Sequence, residues 1–245
     1  MSDDTKPKTQ RTTGFPNAHL WMVLPLLIAT LGFYFTYWSV FVDVPFDQHL
    51  HGLSATLWFA LLVVQPLLQK HNNLVLHRKI GFIGLFLAGA VVFSALQIVR
   101  NNLVNDALQP VLRYGLTWGD FLFLLGFSHA VLMAMWRSKD KAAHARYMIA
   151  SAIWALLPAL SRLIYFPILI AYGYPPPMRF LTVVYLSVGL ILAAVGIMIA
   201  IDYRRDSRIY AGYSLVAGGV LLFGVSVNYM GRAAWWIAFC DQLLA

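Results

Sequence analysis

Seven apolar runs, each close to the ~20 residues a helix needs to cross a bilayer, leave this chain little choice of fold. They occupy residues 21–41, 50–68, 80–99, 119–136, 147–172, 180–201 and 212–230. Inside hydrocarbon every backbone N–H and C=O must find its partner within the segment, so runs of this length fold as helices. The predicted fold class is an all-α, seven-transmembrane-helix bundle. Composition agrees: 11% of residues are charged, against about 25% in soluble domains. Residues 1–18 are polar, lack the order of a signal peptide and predict a disordered cytoplasmic tail. Residues 19–245 then form one transmembrane domain. The Trp-rich segment 233–239 is either the end of the seventh helix or an interfacial piece, since Trp prefers the headgroup zone.

The net charge of +8 is topogenic, and nucleic acid is not an expected partner. Thirteen Lys and Arg residues fall on one side of the runs: Lys6, Lys8, Arg11, Lys70, Arg78, Lys79, Arg137, Lys139, Lys141, Arg146, Arg204, Arg205 and Arg208. Four fall on the other: Arg100, Arg113, Arg179 and Arg232. The basic side is cytoplasmic by the positive-inside rule. The N-terminus is therefore expected inside, the C-terminus outside, in a bacterial inner membrane. That orientation, with no lysine in the last run, excludes a rhodopsin. The single Cys240 excludes an intrachain disulfide and any metal site built on cysteines.

One basic residue, Arg162, lies within an apolar run. A charge at that depth costs about 2.5–3.5 kcal/mol on insertion scales and marks a site by default. Counted from the cytoplasmic helix ends at 1.5 Å per residue, Arg162 and Asp120 both lie about 24 Å in, which makes them the best salt-bridge candidates. Gln97 and His51 fall at about 27–29 Å. His49 and Asp47 precede the second run, Asn101 and Asn102 follow the third, and Asn228 ends the seventh. Pro158, four residues before Arg162, is expected to kink the fifth helix. These residues predict an outer-leaflet polar site, with His51, Asp120 and Arg162 in catalytic or proton-carrying roles and His49, Gln97 and His129 as cofactor contacts. A structural ion pair that fixes helix register is the alternative.

A metal would draw on Asp47, His49 and His51 outside, or on His77, His129 and His144 inside. In a helix His49 and His51 point to different faces, so both ligate one ion only if that segment is extended. Haem b would need paired histidines at matched depth; His129 with His77 or His144 meets this only if those helices start early. A quinone needs His, Asp and Arg near a lipid-accessible cleft, which the outer set supplies.

The stretches His49-Leu-His-Gly-Leu-Ser54, Leu76-His-Arg-Lys-Ile-Gly81 and His144-Ala-Arg-Tyr-Met148, with Leu157-Pro-Ala-Leu-Ser-Arg162, resemble uncharacterised bacterial polytopic membrane proteins. More distantly they resemble families grouped near the cytochrome b561-like bundles. The resemblance implies a role for His49, His51, His77, His144 and Arg162, and covers about residues 47–165. The expectation is an oxidoreductase or electron-transfer protein binding a redox cofactor (haem), a divalent metal or a quinone-like ligand. A metal-dependent lipid hydrolase and a non-enzymatic accessory subunit of a larger membrane complex are the alternatives. Membrane lipids are partners in every case.

Overall fold

A computed structural model describes residues 17–106 and 108–244. Most of the predicted tail, with Lys6, Lys8 and Arg11, lies outside the described residues. Among these, every regular element is helical: α1 Ala18–Gly32, α2 Phe46–Lys70, α3 Leu74–Leu103, α4 Pro110–Trp136, α5 Lys141–Trp154, α6 Leu157–Tyr172, α7 Phe180–Asp206, α8 Ala211–Met230 and α9 Ala234–Gln242. A 3-10 stretch, Trp38–Asp43, joins α1 to α2.

Five helices (α2, α3, α4, α7 and α8) are long and apolar enough to span a membrane. The predicted fifth run is split. Helices α5 and α6 meet at a 40° bend and pass the same test as a pair. Pro158 lies in the first turn of α6, where its missing N–H costs nothing. The proline thus starts the second half rather than distorting a continuous helix.

The predicted first run also differs. Helix α1 stops at Gly32, 15 residues long. A Cβ on Gly32 would meet the Ala159 carbonyl oxygen at 2.2 Å, so α1 and α6 touch backbone to backbone there. The aromatic residues beyond it, Phe33 to Trp38, are weaker helix formers. The Trp38 and Ser39 amides bond back five residues, to Phe33 and Tyr34, and the chain opens into a wide turn. Tyr37 folds back against α2, where Gly52 makes room: a Cβ there would sit 2.5 Å from the ring.

The long helices run alternately in opposite directions across the bundle, with the bent α5–α6 pair keeping one direction. Lys70 at the end of α2 reaches Asn17 at the start of α1, at 3.5 Å. That end also carries the α2–α3, α4–α5 and α7–α8 turns with Arg78, Arg137, Lys141, Arg204 and Arg208, and is called the basic end. Asn73 and Asp140 cap α3 and α5 through the Leu76 and Ala143 amides, satisfying donors that a helix start leaves open. The far end carries the α3–α4, α6–α7 and α8–α9 turns.

One core of buried apolar side chains runs through the bundle, including Trp58, Phe127, Trp154, Val184, Val220 and Phe223. Trp154 wedges between α4 and α8, with Gly126 on one side and Gly219 on the other. Gly84, Gly219 and Gly224 lie closely against side chains of neighbouring helices, whereas Gly89 and Gly218 face open space. Helix α9 folds back on α4 as a separate piece, with Trp236 donating to the Tyr114 carbonyl at 2.9 Å.

Candidate functional site

Four helices bring polar side chains together in the far half of the bundle. Asp120 on α4 and Arg162 on α6 each lie about 15 Å in from the far ends of their helices, Ser94 on α3 about 14 Å and His51 on α2 about 8 Å. Arg162 is close enough for its charge to act on both His51 and Asp120. Asn102, in the last turn of α3, reaches the Asp120 carboxylate. His51, Asp120, Arg162 and Asn102 are each half-buried, although most of their surroundings are apolar. These polar groups converge, and each keeps part of its surface exposed.

The hydrogen bonds assign the state of His51. Ser94 Oγ lies 2.7 Å from the Ala90 carbonyl and donates its one proton there. It therefore accepts from His51 Nδ1, 3.2 Å away. In the neutral ring the proton sits on Nδ1, and Nε2 keeps its lone pair. Ser54 Oγ donates to the His51 carbonyl at 3.1 Å rather than to the ring. No serine–histidine nucleophile is assembled there.

The expected Arg162–Asp120 salt bridge does not form: no contact within 4.0 Å joins the two. Arg162 Nη1 donates to the Pro158 carbonyl one turn back at 3.0 Å. Its guanidinium lies 4.9 Å from the centre of the Phe33 ring. The long side chain turns back along its own helix, and the Asp120 carboxylate is held from α3 instead.

The remaining far-end residues have other partners. His49 Nδ1 is 3.1 Å from Tyr37 Oη, and Asp47 accepts from Asn101. Helix α2 already begins at Phe46, so Asp47, His49 and His51 point to different neighbours and do not form a ligand set. Gln97, one turn beyond Ser94, is half-buried. Asn228 lies apart, in a groove between α7 and α8 with Tyr185 and Arg232.

The inner histidines act as staples. His77 Nδ1 meets the Gln65 carbonyl of α2 at 3.3 Å, and His144 Nδ1 meets the Ala134 carbonyl of α4 at 2.8 Å. Each lies four residues after the capping residue of its helix and ties that helix to the preceding one. Both helices do start earlier than their apolar runs. His129 stands apart, exposed, with its ring 6.1 Å from that of Tyr147. Among the described residues no three His, Cys, Asp or Glu side chains are placed to hold a metal ion.

The most deeply buried ion pair among the described residues is at the basic end and was not anticipated. Arg146 grips Asp202 with two donors, Nε at 3.0 Å and Nη2 at 2.7 Å, and reaches Asp206 at 3.3 Å. Arg205 bonds both aspartates. The Tyr210 ring covers the Arg146 guanidinium at 4.2 Å, and its hydroxyl donates to Asp206. Burial, and then that hydrogen bond, push the Tyr210 hydroxyl above its usual range. One signal was in the sequence: Asp202 precedes Arg204 and Arg205 by less than a turn, still within the apolar helix.

The chain matches no protein-family profile, no curated protein and no solved structure.

Proposed function

We propose that this is an integral membrane protein whose far-half crevice binds a quinone-like ligand and exchanges protons with it, in an oxidoreductase or electron-transfer role. The observation that carries the reading is the convergence of His51, Asp120 and Arg162 from three helices, each still partly exposed. A quinone ring offers two carbonyl oxygens and an apolar tail. Arg162 is a fixed donor for one oxygen. His51 Nε2, left open by the Nδ1 bond to Ser94, accepts a proton from a hydroquinone hydroxyl, with Asp120 next in the relay. Helices facing lipid give the tail its path.

The crossing number proposed is seven, with α1 plus its 3-10 extension as the first and the bent α5–α6 pair as the fifth. The N-terminus would then lie in the cytoplasm of a bacterial cell, and the crevice would open toward the outer leaflet.

The test is titration of the purified protein with a short-tailed ubiquinone analogue, followed by quenching of tryptophan fluorescence. Saturable binding that His51→Ala and Arg162→Gln each weaken supports the reading. Binding indifferent to both variants sinks it. A Soret band in the visible spectrum, or stoichiometric metal by elemental analysis, would replace the quinone with haem or a metal.

A second reading rests on the internal satisfaction of Arg162 by Pro158 and Phe33. In an accessory subunit of a larger complex, Arg162 and Asp120 would balance each other's charge and nothing more. Arg162→Leu and Asp120→Leu would each impair folding, and the double variant would recover it.

A further inference from the structure

A cavity of about 150 Å³ opens at the basic end, lined by Arg137, Arg146, Tyr147, Arg208, Ile209, Tyr210 and the first residues of α8. Three of its walls are guanidinium-bearing. Arg146 is committed to Asp202 and Asp206. Arg137 and Arg208 are different: both are exposed, Arg208 lies 4.9 Å from the Tyr210 ring, and its contact with Asp140 is long, at 3.6 Å. Their charge is available to a ligand. Ala211 and Gly212 contribute the start of a 20-residue helix whose N-cap, Tyr210, supplies no side-chain bond. Amides at such a start point outward and favour an anion.

Exposed apolar side chains adjoin the cavity's two exposed arginines, and Ile209 itself lies on the rim. Trp136, beside Arg137, is 78% exposed, and Ile209, beside Arg208, is 58% exposed. Arginines with an exposed tryptophan at the end of spanning helices are what a headgroup level presents. A soluble anion has no use for that rim, whereas a lipid places its phosphate among the arginines and its chains along Trp136 and Ile209.

We propose that this cavity is a binding site for the phosphate group of an anionic membrane lipid. The site is separate from the crevice at the far end and does not depend on it. Arg137 and Arg208 hold the phosphate and the α8 amides complete the cradle. Arg146, fixed by the two aspartates, sets the cavity wall. The site would couple the α4–α5 and α7–α8 turns to the composition of the bilayer.

The experiment uses the full chain in a mild zwitterionic detergent. Its thermal midpoint and its retained lipid, by native mass spectrometry, are followed with phosphatidylglycerol, phosphatidylcholine or inorganic phosphate. Phosphatidylglycerol is expected to raise the midpoint and be retained in preference to phosphatidylcholine. A surface arginine contributes about fivefold in affinity for anionic lipid, so Arg137→Ala with Arg208→Ala should weaken retention about twenty-five-fold. The paired lysine substitutions, which keep the charge, should restore most of it and show that the alanine protein is not merely misfolded. Equal retention of the two lipids, or a preference that survives the alanine pair, overturns the site. Inorganic phosphate stabilising as strongly as phosphatidylglycerol overturns the assignment to a lipid.

Discussion

Arg146 Nη2 and Asp202 Oδ1 lie 2.7 Å apart with both side chains about 1% exposed, which ties α5 to α7 through a buried ion pair. The pair is bidentate and covered by Tyr210. Removing one partner leaves the other buried charge only its more exposed second partner, Asp206 for Arg146 or Arg205 for Asp202, at a cost near the low end of about 3–5 kcal/mol, whereas removing both together is less costly. Arg146→Leu and Asp202→Leu should each lower stability by that amount, and the double variant should recover most of it. Unfolding in SDS-containing mixed micelles measures the cycle. Equal losses in single and double variants would show that the pair is not coupled.

Trp154 is held between two glycines. A Cβ added at Gly126 would meet its ring at 2.3 Å, and one at Gly219 at 2.2 Å. Gly126→Ala and Gly219→Ala should each cost about 1–3 kcal/mol through overpacking. Gly189→Ala, whose Cβ meets open space, should leave the unfolding midpoint unchanged.

The crevice makes a sharper demand on Ser94 than on Ser54. Ser94 orients the His51 ring directly, while Ser54 bonds the His51 carbonyl and touches Ser94 only at a long 3.4 Å. Under the quinone reading, Ser94→Ala should weaken analogue binding about three- to tenfold, the range of one hydrogen bond. Ser54→Ala should leave it nearly unchanged. Comparable losses in both would place the ligand elsewhere.

The topology is open to cysteine labelling. Cys240 is buried, and burial pushes its thiol up to about 11, so it is a poor nucleophile. In a Cys240→Ala background, single cysteines at Tyr174 and at Lys139 report the two ends. The seven-crossing arrangement predicts that an impermeant maleimide labels position 174 in intact spheroplasts and position 139 only after lysis.

Much of the bundle was legible because hydrocarbon leaves the backbone no alternative to a helix. The runs at 50–68, 80–99, 180–201 and 212–230 all lie within single helices. The polar ends of α2, α3 and α4 were missed since they lie beyond the hydrophobic stretch, where hydropathy no longer marks a helix. The two larger departures, α1 ending at Gly32 and the α5–α6 break, arise where α1 and α6 approach backbone to backbone.

Depth counting placed His51, Asp120 and Arg162 in the same half of the bundle because axial position depends only on residue number and helix rise. Rotation about each helix axis does not follow from that count. It decided that Arg162 turns to Pro158 rather than Asp120, that His49 and His51 serve different neighbours, and that His77 and His144 staple hairpins. The sequence by itself thus determined a helical membrane bundle, its basic end and the level of His51, Asp120 and Arg162. Tertiary structure alone decided who meets whom: Arg146 with Asp202, 56 residues apart, and Arg137 with Arg208 around one cavity. Such contacts require particular faces of non-consecutive helices to be turned together, and side-chain packing between helices sets that rotation.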